Sequence, residues 1–183
     1  DAHYTAEVGI LTRQRVHMLH DMRAALENHQ LNVAFQPQFD LASNRVLGVE
    51  ALLRWRDEAG QYVPLEQCIP VAEQSGLIVE IGAWVLNEAV AAQRELAGQG
   101  FSLRMAVNVS PVQFRHPGFL DVVRQAIAGA GIDPALLELE ITESVALSGW
   151  KTVVEHLQAL KALGVSIAID DFGTDFSSLS YLV

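Results

Sequence analysis

The chain has 183 residues, half of them hydrophobic and 19% charged. That is enough apolar material for a large core and too little charge for a disordered chain. A net charge of −10 excludes a surface built for nucleic acid polymers or anionic lipid, both of which need excess basic residues.

Cys68 is the only cysteine, so an internal disulfide is excluded and a reducing, cytoplasmic setting is expected. In "PLEQCIPVAEQ" it reads as a buried apolar filler. No apolar run is long enough to span a membrane, so no membrane contact by this segment is expected. Membrane anchorage of a longer parent stays open. The chain opens on Asp1 rather than Met and is expected to be excised from something longer.

Residues 6–29 read as one amphipathic helix, with Leu11, Met18, Met22, Ala25 and Leu26 on a broken apolar stripe. Residues 1–29 are expected to link an upstream domain to the domain at 30–183; an ordinary packing helix fits the stripe equally well. Residues 32–40 and 45–55 read as strands joined by only "LASN", which predicts an antiparallel hairpin. Helical patterns follow around 66–75 and 79–97. Then come a strand (102–110), a helix (118–131), a strand (136–142), a helix (148–164) with Ser148 as N-cap and Gly164 just past its end, and a strand (165–170).

Strands that alternate with helices predict a parallel sheet or barrel with its chemistry on one rim. Glu50, Asn108, Glu140 and the pair Asp170-Asp171 fall at or near the carboxyl ends of these strands. Period-two alternation puts Glu50 with Leu52 and Arg54 on one face, and Ala106, Asn108 and Ser110 on another. Glu138, Glu140 and Thr142 share a third, and Ser166, Ala168 and Asp170 a fourth. Opposite faces carry Met105, Val107 and Val109, then Leu137, Leu139 and Ile141, then Val165, Ile167 and Ile169, and should pack under the helices.

Several converging carboxylates need a cation or compensating bases. Arg54 and its like can serve one or two of them. With only 12 Lys and Arg in the chain, the metal is the better reading. Oxygen donors suit a hard divalent ion, and two ions fit if Asp170 bridges them and Asp171 binds the second. Arg54 is a candidate phosphate fork, although an ion pair with a nearby Glu explains it almost as well. Gln36, before Pro37, either reads a base edge or caps a strand end. Glu143 either supports Glu140 from behind or is solvated at the strand exit. The six histidines form no ligand spacing with the carboxylates and are read as surface or helix residues.

"GVEALLRW" (48–55) resembles the signature of the EAL family of bacterial cyclic-di-GMP phosphodiesterases. The match continues in order through "FQPQFDL", "CIPVAEQSGLI", "VNVSPVQF", "LELEITES" and "IAIDDFGTDFSSLSYL". The resemblance implies an α/β fold, a modified (β/α)8 TIM-type barrel with an antiparallel first strand, whose C-terminal part is absent from this sequence. It implies two Mg²⁺ or Mn²⁺ ions and hydrolysis of cyclic di-GMP to linear pGpG in second-messenger signalling. Carried over, Glu50, Asn108, Glu140, Asp170 and Asp171 are the metal and catalytic set, and Gln36, Leu52 and Arg54 contact the nucleotide. Glu143 supports a loop that couples dimerisation to activity, so a homodimer and an upstream sensor or diguanylate-cyclase-like domain are the implied partners. Asp175 departs from the family pattern, which has Gly there. The alternatives are a catalytically inactive cyclic-di-GMP receptor and a regulatory dimerisation module; retention of the ligand set favours the enzyme.

Overall fold

This computed structural model describes residues 2–170 and the strand residues 178–179. Helix α1 (Ala2–Glu27) leads into strands β1 (Leu31–Phe39) and β2 (Val46–Trp55). These pair antiparallel, as the short connection requires, with Gln36 opposite Glu50 and Ala34 opposite Leu52. Helices α2 (Leu65–Ser75) and α3 (Leu77–Gly98) follow, then β3 (Arg104–Asn108), α4 (Pro111–Arg115) and α5 (Phe119–Ala130). The chain continues through β4 (Leu137–Thr142), α6 (Glu143–Ala146), α7 (Lys151–Leu163), β5 (Ser166–Asp170) and β6 (Ser178–Leu179).

One sheet runs in the order β1-β2-β3-β4-β5-β6. Strands β2 to β5 are mutually parallel, and β6 returns antiparallel to β5. This is the expected architecture: an antiparallel first strand, then a parallel series with helical crossovers.

The predicted apolar faces form the core. Met105, Val107, Leu137, Leu139 and Ile141 are all buried, and with them lie Ile81, Leu86 and Val85 of α3, Val123 of α5, and Val153 and Leu160 of α7. Burial of side chains this size contributes about 1.5–3 kcal/mol each. Gln93 of α3 is buried as well. Its amide nitrogen donates to the carbonyls of Leu103 (3.0 Å) and Leu136 (2.8 Å), tying the helix to the loops that enter β3 and β4.

Cys68 is buried as expected, and burial pushes its thiol pKa up, which suits a filler and not a nucleophile. Gly76 turns the chain between α2 and α3 with a φ of 82°, where a side chain would be strained. Among the described residues no single helix is long and apolar enough to cross a membrane.

Three sequence expectations are corrected. The helix expected to begin at Ser148 begins at Lys151, with Trp150 at the capping position. Ser148 instead donates to the Val145 carbonyl (2.8 Å) and closes α6, because Gly149 at φ 64° breaks the path. The strand expected to run to residue 110 stops at Asn108, where Ser110 caps the short α4. His156 is not a surface residue: it is buried, with Nδ1 2.7 Å from the Phe114 carbonyl oxygen. Helix α1 is longer than expected; Met22 and Ala25 of its stripe are buried, while Leu11 is 56% exposed.

Candidate active site

Parallel pairing sets β2 to β5 side by side, with Asn108 and Asp170 the last residues of their strands and Glu140 two residues from its end. Glu50, expected near a strand end, instead sits in the middle of β2, because the hairpin with β1 carries that strand on to Trp55. Asn108 lies opposite Glu140 in register, Thr142 opposite Asp170, and Glu50 opposite Ala106. The Asn108 amide nitrogen donates to Glu50 Oε1 at 3.1 Å. The backbone N–H of Val109 donates to the Glu140 carbonyl at 2.9 Å and extends the β3–β4 pairing past the last strand residue.

Glu140 is half-buried. Desolvation first, then the negative charges of Glu50, Glu138 and Asp170, raise its pKa from 4.5 to about 7, against a small opposing pull from Arg104. This concentration of negative charge lies along one face of the parallel strands.

The deeper acid on the same face is neutralised differently. Glu138 is buried, and its Oε2 lies 2.7 Å from Arg104 Nε. The N–H is not aimed at that oxygen well enough for a hydrogen bond, so the pair is held by charge at contact distance. The base that serves a carboxylate is therefore Arg104, which sequence reasoning did not single out. Arg54, the base it did single out, makes no ion pair among the described residues. Its Nη1 donates to the Leu53 carbonyl at 2.9 Å.

Gln36, Glu50, Leu52 and Arg54 share one face of the β1–β2 hairpin, as their register requires. Leu52, Asn108, Glu140, Glu143 and Asp170 line a cavity of about 730 Å³. That volume is within the range of small-ligand pockets. Glu143 is the first residue of α6, exposed and three residues beyond Glu140. Asp171 and Asp175 lie outside the described residues.

All the donors Glu50, Asn108, Glu140 and Asp170 offer oxygen, which suits a magnesium-like or manganese-like ion. The raised Glu140 pKa marks a charge deficit that such an ion relieves. Among the described residues, no three acids or histidines close on one point tightly enough to enclose an ion by themselves. The fit rests on donor chemistry and charge.

The chain matches the EAL domain over residues 19–183. It belongs to the EAL domain family. It is similar to MucR of Pseudomonas aeruginosa, a bifunctional diguanylate cyclase/cyclic di-GMP phosphodiesterase, at 43% identity over 171 residues, covering 93% of this chain and 25% of that protein. It is similar to the cyclic di-GMP phosphodiesterase NbdA of the same organism at 36% identity over 180 residues, covering 98% of this chain and 23% of NbdA. The chain thus spans about a quarter of the length of these curated relatives. Among solved structures, the PaMucR phosphodiesterase in complex with c-di-GMP superposes with a TM-score of 0.81 at 43% identity, covering 89% of this chain and 66% of that one.

Within this EAL domain, the Glu140 carboxyl carries a testable sign. Its pKa is raised on folding, so between pH 4.5 and about 7 the unfolded chain is ionised while the folded chain still holds its proton. Stability of the metal-free protein therefore falls as pH rises through that window. Glu140→Gln is expected to remove this contribution, flattening the difference in urea midpoint between about pH 5 and about pH 8. An unchanged pH slope in the variant would contradict the assignment.

Proposed function

We propose that this EAL domain hydrolyses cyclic di-GMP to linear pGpG with the help of two divalent cations, Mg²⁺ or Mn²⁺. The observation that carries the proposal is that Glu50, Asn108, Glu140 and Asp170 step along one face of four neighbouring parallel strands, from the middle of β2 to the last residues of β3 and β5, with the Asn108 amide on Glu50 and a Glu140 whose proton affinity is raised by Glu50 and Asp170. The similarity to two named cyclic di-GMP phosphodiesterases supports the same reading.

Glu50, Asn108, Glu140 and Asp170 would hold the first ion, and Asp170 with Asp171 the second. Bound cations supply charge neutralisation at the phosphoryl oxygens and an acidified water. Gln36, Leu52 and Arg54, on the same hairpin face as Glu50, would orient the nucleotide. Leu52 offers an apolar surface at the cavity wall. Arg54 offers two parallel N–H groups to a phosphate once it leaves the Leu53 carbonyl. In the reaction a water oxygen bonds to phosphorus and the bond to one ribose 3′ oxygen breaks. The 3′ oxygen takes a proton, and a 5′-phosphate remains.

Glu143, which begins the helix after β4, would support the neighbouring loop that links the site to a homodimer contact. Residues 1–29 would connect the domain at 30–183 to an upstream sensor or diguanylate-cyclase-like domain, in a cytoplasmic setting.

The test is incubation with cyclic di-GMP and Mg²⁺ or Mn²⁺, followed by chromatography of the nucleotides. A linear dinucleotide that appears with the cation and vanishes with a chelator is the expected result. Tight binding without any product would instead make the domain a cyclic-di-GMP receptor.

A further inference from the structure

Asn108 is the last residue of β3 and is solvent-exposed, so strand pairing alone does not fix where its amide points. The two residues that follow it are tied down on three sides. Val109 donates to the Glu140 backbone, as described above. Ser110 adopts φ −64° and ψ 146° and caps α4, its Oγ accepting from the Val112 N–H at 3.3 Å. The same hydroxyl donates to Glu73 Oε2 on α2 at 3.1 Å. The Ser110 backbone N–H donates in turn to Gln113 Oε1 at 3.3 Å.

Gln113 is itself fixed. It is 4% exposed, and its carboxamide lies so close over Gly82 of α3 that a Cβ on that glycine would overlap it. Ser110 therefore joins α2, α3 and α4 at a point two residues from Asn108. A polar junction this close to a donor, buried on its Gln113 side, holds the donor's backbone in one place.

We propose that Ser110 and Gln113 are positioning residues for Asn108, holding its side chain at the Glu50 carboxylate where the first cation binds. This rests on the reading of Asn108 as a metal ligand. Neither residue need touch the ion or the substrate; both act through the backbone that leads out of Asn108.

Mn²⁺ binding to the whole chain, without nucleotide, tests this by electron paramagnetic resonance or calorimetry. Ser110→Ala is expected to weaken Mn²⁺ about 10- to 100-fold, the usual range for loss of a group that orients a ligand, and Ser110→Thr, which keeps the hydroxyl, is expected to restore it. Gly82→Ala, which displaces Gln113 while leaving every polar group intact, is expected to weaken it similarly. In an Asn108→Ala background, Ser110→Ala is expected to add no further loss, because the two act on one ligand.

Unchanged Mn²⁺ affinity in both Ser110→Ala and Gly82→Ala, with melting temperature alone lowered, overturns the proposal. So does a loss that adds in full to that of Asn108→Ala. If the wild-type chain binds no Mn²⁺, the metal reading fails by itself. Positioning is then read from the Asn108 side-chain amide resonances of the metal-free protein. They are expected to shift in Ser110→Ala and return in Ser110→Thr; identical spectra overturn it.

Discussion

Glu50→Ala is expected to abolish cation-dependent hydrolysis of cyclic di-GMP and to leave the fold intact. Glu50 is half-buried at the rim, whereas its strand neighbours Val49 and Ala51 are buried and carry the packing of β2. The substitution therefore removes a charge and an acceptor but very little core. On the catalytic side it removes the cation donor proposed above and strands the Asn108 amide, which now donates to Glu50. Loss of a donor to an ion that neutralises the transition state is expected to lower the rate by at least about a thousandfold, or about 4 kcal/mol of activation free energy.

Stability is expected to move the other way near neutral pH. The Glu50 charge is one of the causes of the raised Glu140 pKa, so its removal relieves Glu140. A functional site that stores like charges gives up stability for activity. The measurement is a pair: nucleotide chromatography for rate, and a thermal melt of the metal-free protein at neutral pH. Normal turnover would overturn the role given to Glu50, and a collapsed melt would mean that Glu50 is structural.

What made these rim residues legible was the period-two pattern. Strands β3, β4 and β5 carry their large apolar side chains on one face, so Val107, Leu139 and Ile167 fix which face Asn108, Glu140 and Asp170 occupy, even though Ala106, Glu138 and Ala168 on that second face are buried too. The four-residue link "LASN" likewise left only a hairpin for β1 and β2.

The short helices were harder to read. With five and four residues, α4 and α6 are too brief to show a helical period. A local signal for α4 was present: Ser110 followed by Pro111 and, three residues on, Gln113 is a capping box with proline at the first helical position. The Arg104–Glu138 pair was not legible, because it depends on the approach of β3 to β4 and not on any spacing in the chain. The burial of His156 was hidden for the same reason, since its partner carbonyl lies 42 residues earlier.

That same α4 supplies the largest expected loss of stability. Phe114 has 0% exposure, and its ring packs against Phe119 (centroids 5.2 Å apart) and edge-on to His156 (5.8 Å). Its carbonyl also meets His156 Nδ1. Phe114→Ala leaves a void among α4, α5 and α7 that these rings cannot fill without moving the short helix. The expected cost is about 3–5 kcal/mol, set against a total of about 5–15 kcal/mol for a typical domain.

The urea midpoint should fall sharply with little change in slope, since the exposed surface on unfolding is nearly the same. Phe101, at 55% exposure, is the control: Phe101→Ala is expected to cost less than about 0.5 kcal/mol. Because α4 begins three residues after Asn108 on the path out of β3, the variant also tests how the core supports the rim. Phe114→Ala is expected to weaken hydrolysis even at temperatures where it remains folded, whereas Glu50→Ala loses hydrolysis with its melt preserved. A folded Phe114→Ala protein with full activity would mean that α4 packs the domain without holding the rim.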